Sequence, residues 1–519
     1  MKSDKLMDAI TEIDEDLLEQ AEKEPGAKER EAAHRVIPFS AAWIRRACAG
    51  LAIVLLVGAS VWMISRQNRV QPGGEETTVM GTETGGIITG GPIGTPAETE
   101  PTASADPAGK AAVLAEPKYP EDWQWGAYPQ TGELRPAYVR QTAGKEAADL
   151  YRSFFADIML KLLSDNEEDS SVMSPVNVFM AAAMLAQISG GETRQEVLST
   201  LGVSSLAELR QQAAKIWGLC YLDNGREKLV LGNSVWLSNR LAYREDTVKQ
   251  LAESYYASVF RGEMGSEEYN ALFQSWLDQM TGGLLKEQIR SMGFQPFTVF
   301  ALISTVYLKT QWIAPFKTEQ TRNAVFYGAR GEETVPFMNQ KRAANAYYQG
   351  ENWRMVRLQT VQGWVWFFLP DEGSGVAAMM QTESFRNWLA HTDQTDVPGI
   401  EAKEAIVHVS VPKLDIDATL DLIDSLTALG IRNAFDPGQA DLSPLLGGSG
   451  GCIDSAEQKS RLVMDENGVE AASVVAMSMA AAAPQAPEFD FVLDRPFFLL
   501  VTGANEVPLF AAVVNTMEP

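Results

Sequence analysis

Asp465–Pro487 reads DENGVEAASVVAMSMAAAAPQAP, and two structures compete for it. The eighteen residues from Glu466 to Ala483 hold no proline, one glycine (Gly468) and only two charges, Glu466 and Glu470, so nothing bars a fully paired strand. Small side chains at Ala471, Ala472 and Ser473 would let that strand slide between two others, with Gly468 as a backbone hinge at its start. Pro484 and Pro487 then stop it. Alanine is also the best helix former, so propensity alone would make Val469–Ala483 a helix. The rest of the chain has to decide.

Composition narrows the field. The chain has 519 residues, a formal charge of −25 and a 45% hydrophobic fraction. No basic field exists to replace phosphate counterions, which excludes DNA and RNA as partners. A large core can form without disulfides. Cys48, Cys220 and Cys452 show no CxxC spacing, so neither a zinc site nor a disulfide framework is expected, and a Cys220–Cys452 bridge is left open. The only histidines are His34, His391 and His408. Apart from His391 near Asp393 none has a ligand-like neighbour, so no metal and no cofactor are expected.

Four segments follow from the N-terminus. Residues 1–46 carry Leu6, Ile10, Ile13, Leu17 and Leu18 at helical spacing among acidic residues, an amphipathic tail expected in the cytosol. Residues 47–65 contain no charge, which is enough for one membrane-spanning helix. The preceding segment is too long for a signal-peptide n-region, so an uncleaved signal anchor is expected, with the C-terminal body outside the cell. Arg45 and Arg46 on one side nearly balance Arg66 and Arg69 on the other, so charge specifies the orientation weakly. Residues 66–117 turn to Gly, Thr, Pro, Ala and Glu, a composition expected to stay a disordered linker. The folded body is residues 118–519.

Within the body, helical spacing marks Glu146–Leu163, Val176–Ile188 and Thr193–Leu201, the second opened by Ser174-Pro175 as N-cap and first-turn proline. Leu229–Leu237, Thr298–Lys309, Trp353–Gln359, Val365–Leu369 and Ala405–Val411 are β-branched and aromatic runs that read as strands. Helices and strands mix without a regular βαβ period, which argues for α+β with a large mixed or antiparallel sheet. Gly447-Gly448-Ser449-Gly450-Gly451 satisfies G-x-S-x-G, the nucleophile elbow of hydrolases, but no histidine follows Ser449 to act as base. The hydrolase reading therefore fails.

Ten stretches in fixed order carry a resemblance. They are SPVNVFMAAAMLAQISGGETRQEVLSTLG (Ser174 to Gly202), NSVWL (Asn233 to Leu237), STVYLKTQWIAPFKTEQTRNAVFY (Ser304 to Tyr327), VPFM (Val335 to Met338) and FFLPDEG (Phe367 to Gly373). VPKLDI (Val411 to Ile416), LTALGIRNAFDPGQADLSPL (Leu426 to Leu445), DENGVEAAS (Asp465 to Ser473), DRPFFLLV (Asp494 to Val501) and PLFAAVVN (Pro508 to Asn515) complete the series. From about Glu146 to its end the chain resembles the serpins, the serine-protease-inhibitor superfamily. The tail, anchor and spacer lie outside that likeness, and such an arrangement is more familiar from bacterial surface proteins.

The resemblance implies a serpin fold of three β-sheets and eight or nine helices with an exposed reactive loop, working as a monomer. It implies inhibition of serine proteases, less often cysteine proteases, by suicide trapping rather than catalysis. The protease attacks the loop, and the cut loop enters the main sheet as a new strand while still acylated to the enzyme. The alternative is a serpin-fold binding or scaffold protein whose loop never inserts. Counting seventeen residues from Glu466 places the scissile bond between Ala482 and Ala483, within Met479–Ala483, which suits an elastase-like or subtilisin-like target with a shallow primary site. The hinge would be Glu466, Gly468, Val469, Glu470, Ala471, Ala472 and Ser473. Val469 stands where the family usually has Thr or Ser, and a buriable β-branched residue is compatible with insertion. Lys413, Glu466 and Trp312 correspond to the region where the sheet first opens. Ser174, Asn177, Ser304 and Gln458 correspond to the gate between its central strands, where Gln458 replaces a usual histidine and removes any titration.

Overall fold

In the computed structural model Ser174 caps the helix α1 (Pro175–Ile188), its hydroxyl accepting from the Asn177 N–H at 3.4 Å while Pro175 takes the first turn. Every residue of α1 is buried. A helix apolar on all sides needs partners all round, and α1 lies between the main sheet and the strand Pro508–Val514 of the second sheet. Ala181, Ala182 and Ala183 supply the small side chains along it. The structure describes residues 87–90, 111–119, 149–164, 167–223, 228–283, 285–391, 397–448, 451–469, 487–503 and 506–517, all within one compact unit.

The main sheet has nine strands. On one side, after the bridging β1 (Ile87–Gly90), stand four of them: β2 (Ala112–Ala115), β3 (Lys228–Ser238), β4 (Ala257–Gly262) and β5 (Phe300–Gln311). β3 pairs antiparallel with β5 over ten residues and parallel with β4, and β2 adds an edge strand antiparallel to β4. The other side starts from the second sheet, where the strands β6 (Gly331–Gln349) and β7 (Glu401–Pro412) pair antiparallel. Past Lys413 the chain enters the main sheet as β8 (Leu414–Asp421), which pairs with β9 (Ile453–Met464). The short β10 (Gly468–Val469) turns back from β9. Among the described residues β5 and β9 share no ladder: β10 lies between them at one end and β1 at the other.

The second sheet also has nine strands. Beside β7 it carries β11 (Glu488–Val492), parallel, and beside β6 it carries Arg322–Gly328 and Trp353–Gln359. Here the structure departs from the three sheets expected. The nineteen-residue β6 runs through two of them and joins them into one. The described residues also hold eleven α-helical segments rather than eight or nine. Several, such as Lys286–Ile289, Val376–Met380 and Ser443–Leu446, span little more than a turn and leave no periodic trace in sequence.

Two pieces of the stretch expected to be a disordered linker, β1 and β2, are strands. Neither could bury enough surface alone, but each borrows main-chain partners from a sheet that is already folded. Beyond β2, Tyr119 stacks on Trp217 and Tyr221 at ring separations of 5.3 and 5.5 Å. The tail and the expected membrane anchor, residues 1–46 and 47–65, lie outside the described residues, among which no helix is long and apolar enough to cross a membrane. Cys220 and Cys452 are buried and form no disulfide.

Candidate functional site

The turn Asp465–Gly468 sets the geometry where the main sheet opens. The Asp465 carboxylate accepts from the N–H groups of Asn467 (2.8 Å) and Gly468 (3.3 Å), and the Asp465 N–H donates to the Gly468 carbonyl at 3.0 Å. This Asx turn reverses the chain at the end of β9. The reversed chain meets two partners at once: Val469 faces Met464 of β9 and Thr310 of β5, and Gly468 faces Gln311. A Cβ at residue 468 would lie 2.1 Å from the Thr310 carbonyl oxygen. Only glycine lets two backbones approach this closely, so the need at Gly468 is space.

Glu466 is 5% exposed. Its carboxylate accepts from Lys413 Nζ at 2.7 Å and Thr321 Oγ1 at 2.8 Å, and its carbonyl accepts from the Phe316 N–H at 2.9 Å. Burial pushes its pKa up, but the hydrogen bonds from Lys413, Thr321 and its own N–H together outweigh burial and hold it below the usual carboxylate range. Beside it Trp312, 2% exposed, donates its indole N–H to the Asp465 carbonyl and its backbone N–H to the Asn467 carbonyl, both at 2.9 Å. The structure thus brings Lys413, Glu466 and Trp312 together around one turn. Thr321 and Asp465 complete the cluster and were missed in the sequence reading. A D-x-N-G run is an Asx-turn signature, so Asp465 could have been found; Thr321 arrives through tertiary packing alone.

The gate residues also meet. Gln458 of β9 accepts from the Ser174 N–H and donates to the Ser174 carbonyl, both at 2.9 Å. Across the opening, Ser304 of β5 reaches the Asn177 amide at 3.3 Å. The N-terminal turn of α1 therefore ties β9 to β5 across the gap, through Ser174 on one side and Asn177 on the other. All four side chains are buried. Beside the Ser304–Asn177 contact lies a narrow cleft lined by Ser304 and Tyr307 of β5, Lys459 and Arg461 of β9, and the apolar Leu277 and Met292.

Of the expected hinge, Glu466 and Gly468 are placed as described, and Val469 through its backbone pairing. Glu470, Ala471, Ala472, Ser473 and the expected scissile pair Ala482 and Ala483 lie outside the described residues. The chain resumes with the Pro487 carbonyl accepting from the Ile406 N–H at 2.9 Å, followed by β11.

The described part of the site is thus a main sheet in which β5 and β9 are bridged by β10 at one end and β1 at the other, with the chain leaving at β10 and returning at β11. The fold is an α+β body whose main sheet has two central strands, β5 and β9, that share no ladder among the described residues. The family described as "Serpin (serine protease inhibitor)" matches residues 150–517, and the chain belongs to it. Membership marks it as an inhibitor-family protein rather than an enzyme. The chain is similar to "Alpha-1-antiproteinase S" of Cavia porcellus, 25% identical over 379 residues that cover 70% of this chain and 89% of that protein. Among solved structures, the thermophilic serpin tengpin in its native state aligns with a TM-score of 0.61 and 21% identity, covering 75% of this chain and 97% of that one. The human thyroxine-binding globulin complex aligns at 0.60 and 21%, covering 73% and 100%.

Proposed function

We propose that the chain is a suicide inhibitor of serine proteases, held at the outer face of a membrane by residues 47–65 and trapping its target by loop insertion. The observation that carries this reading is β10: the first two residues of the loop already pair with β9 and β5, in a register that leads into the cleft. A target serine would attack the Ala482 carbonyl, the bond to Ala483 would break with departure of the Ala483 amine, and the acyl-enzyme would remain. The freed loop would then follow β10 into the sheet and draw the protease after it. The run of small apolar residues from Met479 to Ala483 favours an elastase-like or subtilisin-like target.

Mixing the full chain with pancreatic elastase tests the reading. A complex of summed mass that survives SDS supports it, and loop cleavage without such a complex refutes it. Mass spectrometry of the released fragment fixes the bond. The second reading, a binding protein that never inserts its loop, has support from β1, which already fills part of the opening. It predicts cleavage with no trapped protease and no gain in thermal stability.

A further inference from the structure

The opening between β5 and β9 is occupied at its far end by the chain's own N-terminal segment. β1 runs antiparallel to both neighbours: Ile88 faces Leu302 on β5 and Ala456 on β9, and Thr89 faces Ala301 and Ser455. β10 runs in the same direction at the near end, with Val469 facing Thr310 and Met464. Because register in a ladder advances one residue per residue, continuing β10 down the opening brings Met477 opposite Leu302 and Ala456. Those are the two residues that Ile88 faces. Both flanking ladders give this same answer independently. Ile87, Ile88 and Thr89 therefore hold the places of Ala476, Met477 and Ser478.

The sequence around β1 suits the task. Ile87, Ile88 and Thr89 are β-branched and fit a paired strand. Gly85-Gly86 and Gly90-Gly91 bracket them, and Pro92 ends the pairing. The segment is also kept close. β2 pairs with β4 at the far edge of the same sheet, and Tyr119 stacks just beyond it. Four strand spacings separate β1 from β2, about 19 Å, while the roughly twenty residues between them could reach three times as far. Such a short tether gives an effective concentration of order millimolar.

We propose that Ile87–Gly90 is a resident strand in the insertion site of the reactive loop, which closes the far end of the opening and must be displaced before the loop inserts fully. This rests on the inhibitor reading above for its consequence, though not for the occupancy itself.

The test uses the full chain carrying Ile88→Cys and Ala456→Cys. Directly opposed residues in an antiparallel pair sit within disulfide range. Under mild oxidation an intramolecular 88–456 disulfide is expected, identified by peptide mass spectrometry in a monomeric band. Loop cleavage should then raise the melting temperature of the reduced protein clearly more than that of the oxidised protein, with dithiothreitol restoring the full rise. The proposal is overturned if no 88–456 disulfide forms, if it forms only between two copies, or if the oxidised, cleaved protein gains as much stability as the reduced one. If cleavage raises the melting temperature of neither the wild type nor the reduced variant, the inhibitor reading fails. In that case the disulfide alone decides occupancy: its formation within one chain sustains the resident strand and its absence overturns it.

Discussion

Gln458→Ala isolates the gate. The Gln458 side chain, 2% exposed, makes two bonds of 2.9 Å to the Ser174 main chain. Truncation leaves the Ser174 N–H buried without that acceptor, while the Ser174 carbonyl keeps the Val178 N–H at 3.3 Å. An orphaned buried donor costs about 1–3 kcal/mol and the lost second bond about 1 more, so the intact protein should lose about 2–4 kcal/mol. A body of about 400 residues unfolds with an entropy of about 0.8 kcal/mol/K, which converts that loss to about 3–5 °C in melting temperature. Scanning calorimetry of the uncleaved full chain reads it. Ser174→Ala is the control: it removes only the 3.4 Å cap bond to the Asn177 N–H, worth about 1 kcal/mol or 1 °C. The reasoning is refuted if Gln458→Ala melts within about 1 °C of wild type, or if Ser174→Ala proves the more damaging of the two.

Glu466→Gln should weaken the anchoring of the Asp465–Gly468 turn. The Glu466 carboxyl is held below its unfolded value, so its stabilising effect is complete above the ordinary glutamate range and is lost as pH falls through the lowered folded value. The wild-type advantage in melting temperature should thus be present at neutral pH and vanish in acid; an advantage that grows in acid contradicts the assignment. Gly468→Val should abolish β10, since a Cβ there meets the Thr310 carbonyl oxygen, and hydrogen exchange at the Val469 amide should rise by at least tenfold, about 1.4 kcal/mol of lost protection. Val469→Arg should turn the inhibitor into a substrate because insertion would bury a guanidinium; unchanged yield of SDS-stable complex would show that residue 469 does not enter the sheet.

Much of the body was legible because its signals are local. Ser174-Pro175 announces α1, and Trp353–Gln359 alternates clearly enough that the expected and observed strands coincide. Lys413, Glu466 and Trp312 could be placed only through the resemblance, since no spacing rule links residues so far apart in the chain, and the structure brings them within hydrogen-bond distance of one turn. The merging of two sheets was not legible, because a nineteen-residue strand with mixed polarity looks like two shorter ones. β1 was hidden for another reason. Ile87-Ile88-Thr89 is too short and too surrounded by glycine to predict as structure, and it forms only because an open pair of strand edges supplies its hydrogen bonds.

Chain length explains how one opening can serve two segments. An uncut loop is fixed at β10 and again at Pro487, whose carbonyl bonds Ile406, seven positions before Lys413 on β7. Inserting as far as Ser478 would carry the chain about 30 Å from Val469. The nine residues from Met479 to Pro487 reach at most about 30 Å when fully extended, and they would have to retrace that path and continue along β7. An uncut loop that inserted would therefore stop short of the places that β1 fills, and the resident strand and the intact loop would not collide. On the proposed mechanism cleavage would remove the tether to β11, and only then would the longer segment, with more hydrogen bonds to gain, compete for the same edges. On this reasoning β1 leaves the capture of a protease untouched and acts on the step that follows, the depth of insertion that distorts the trapped enzyme.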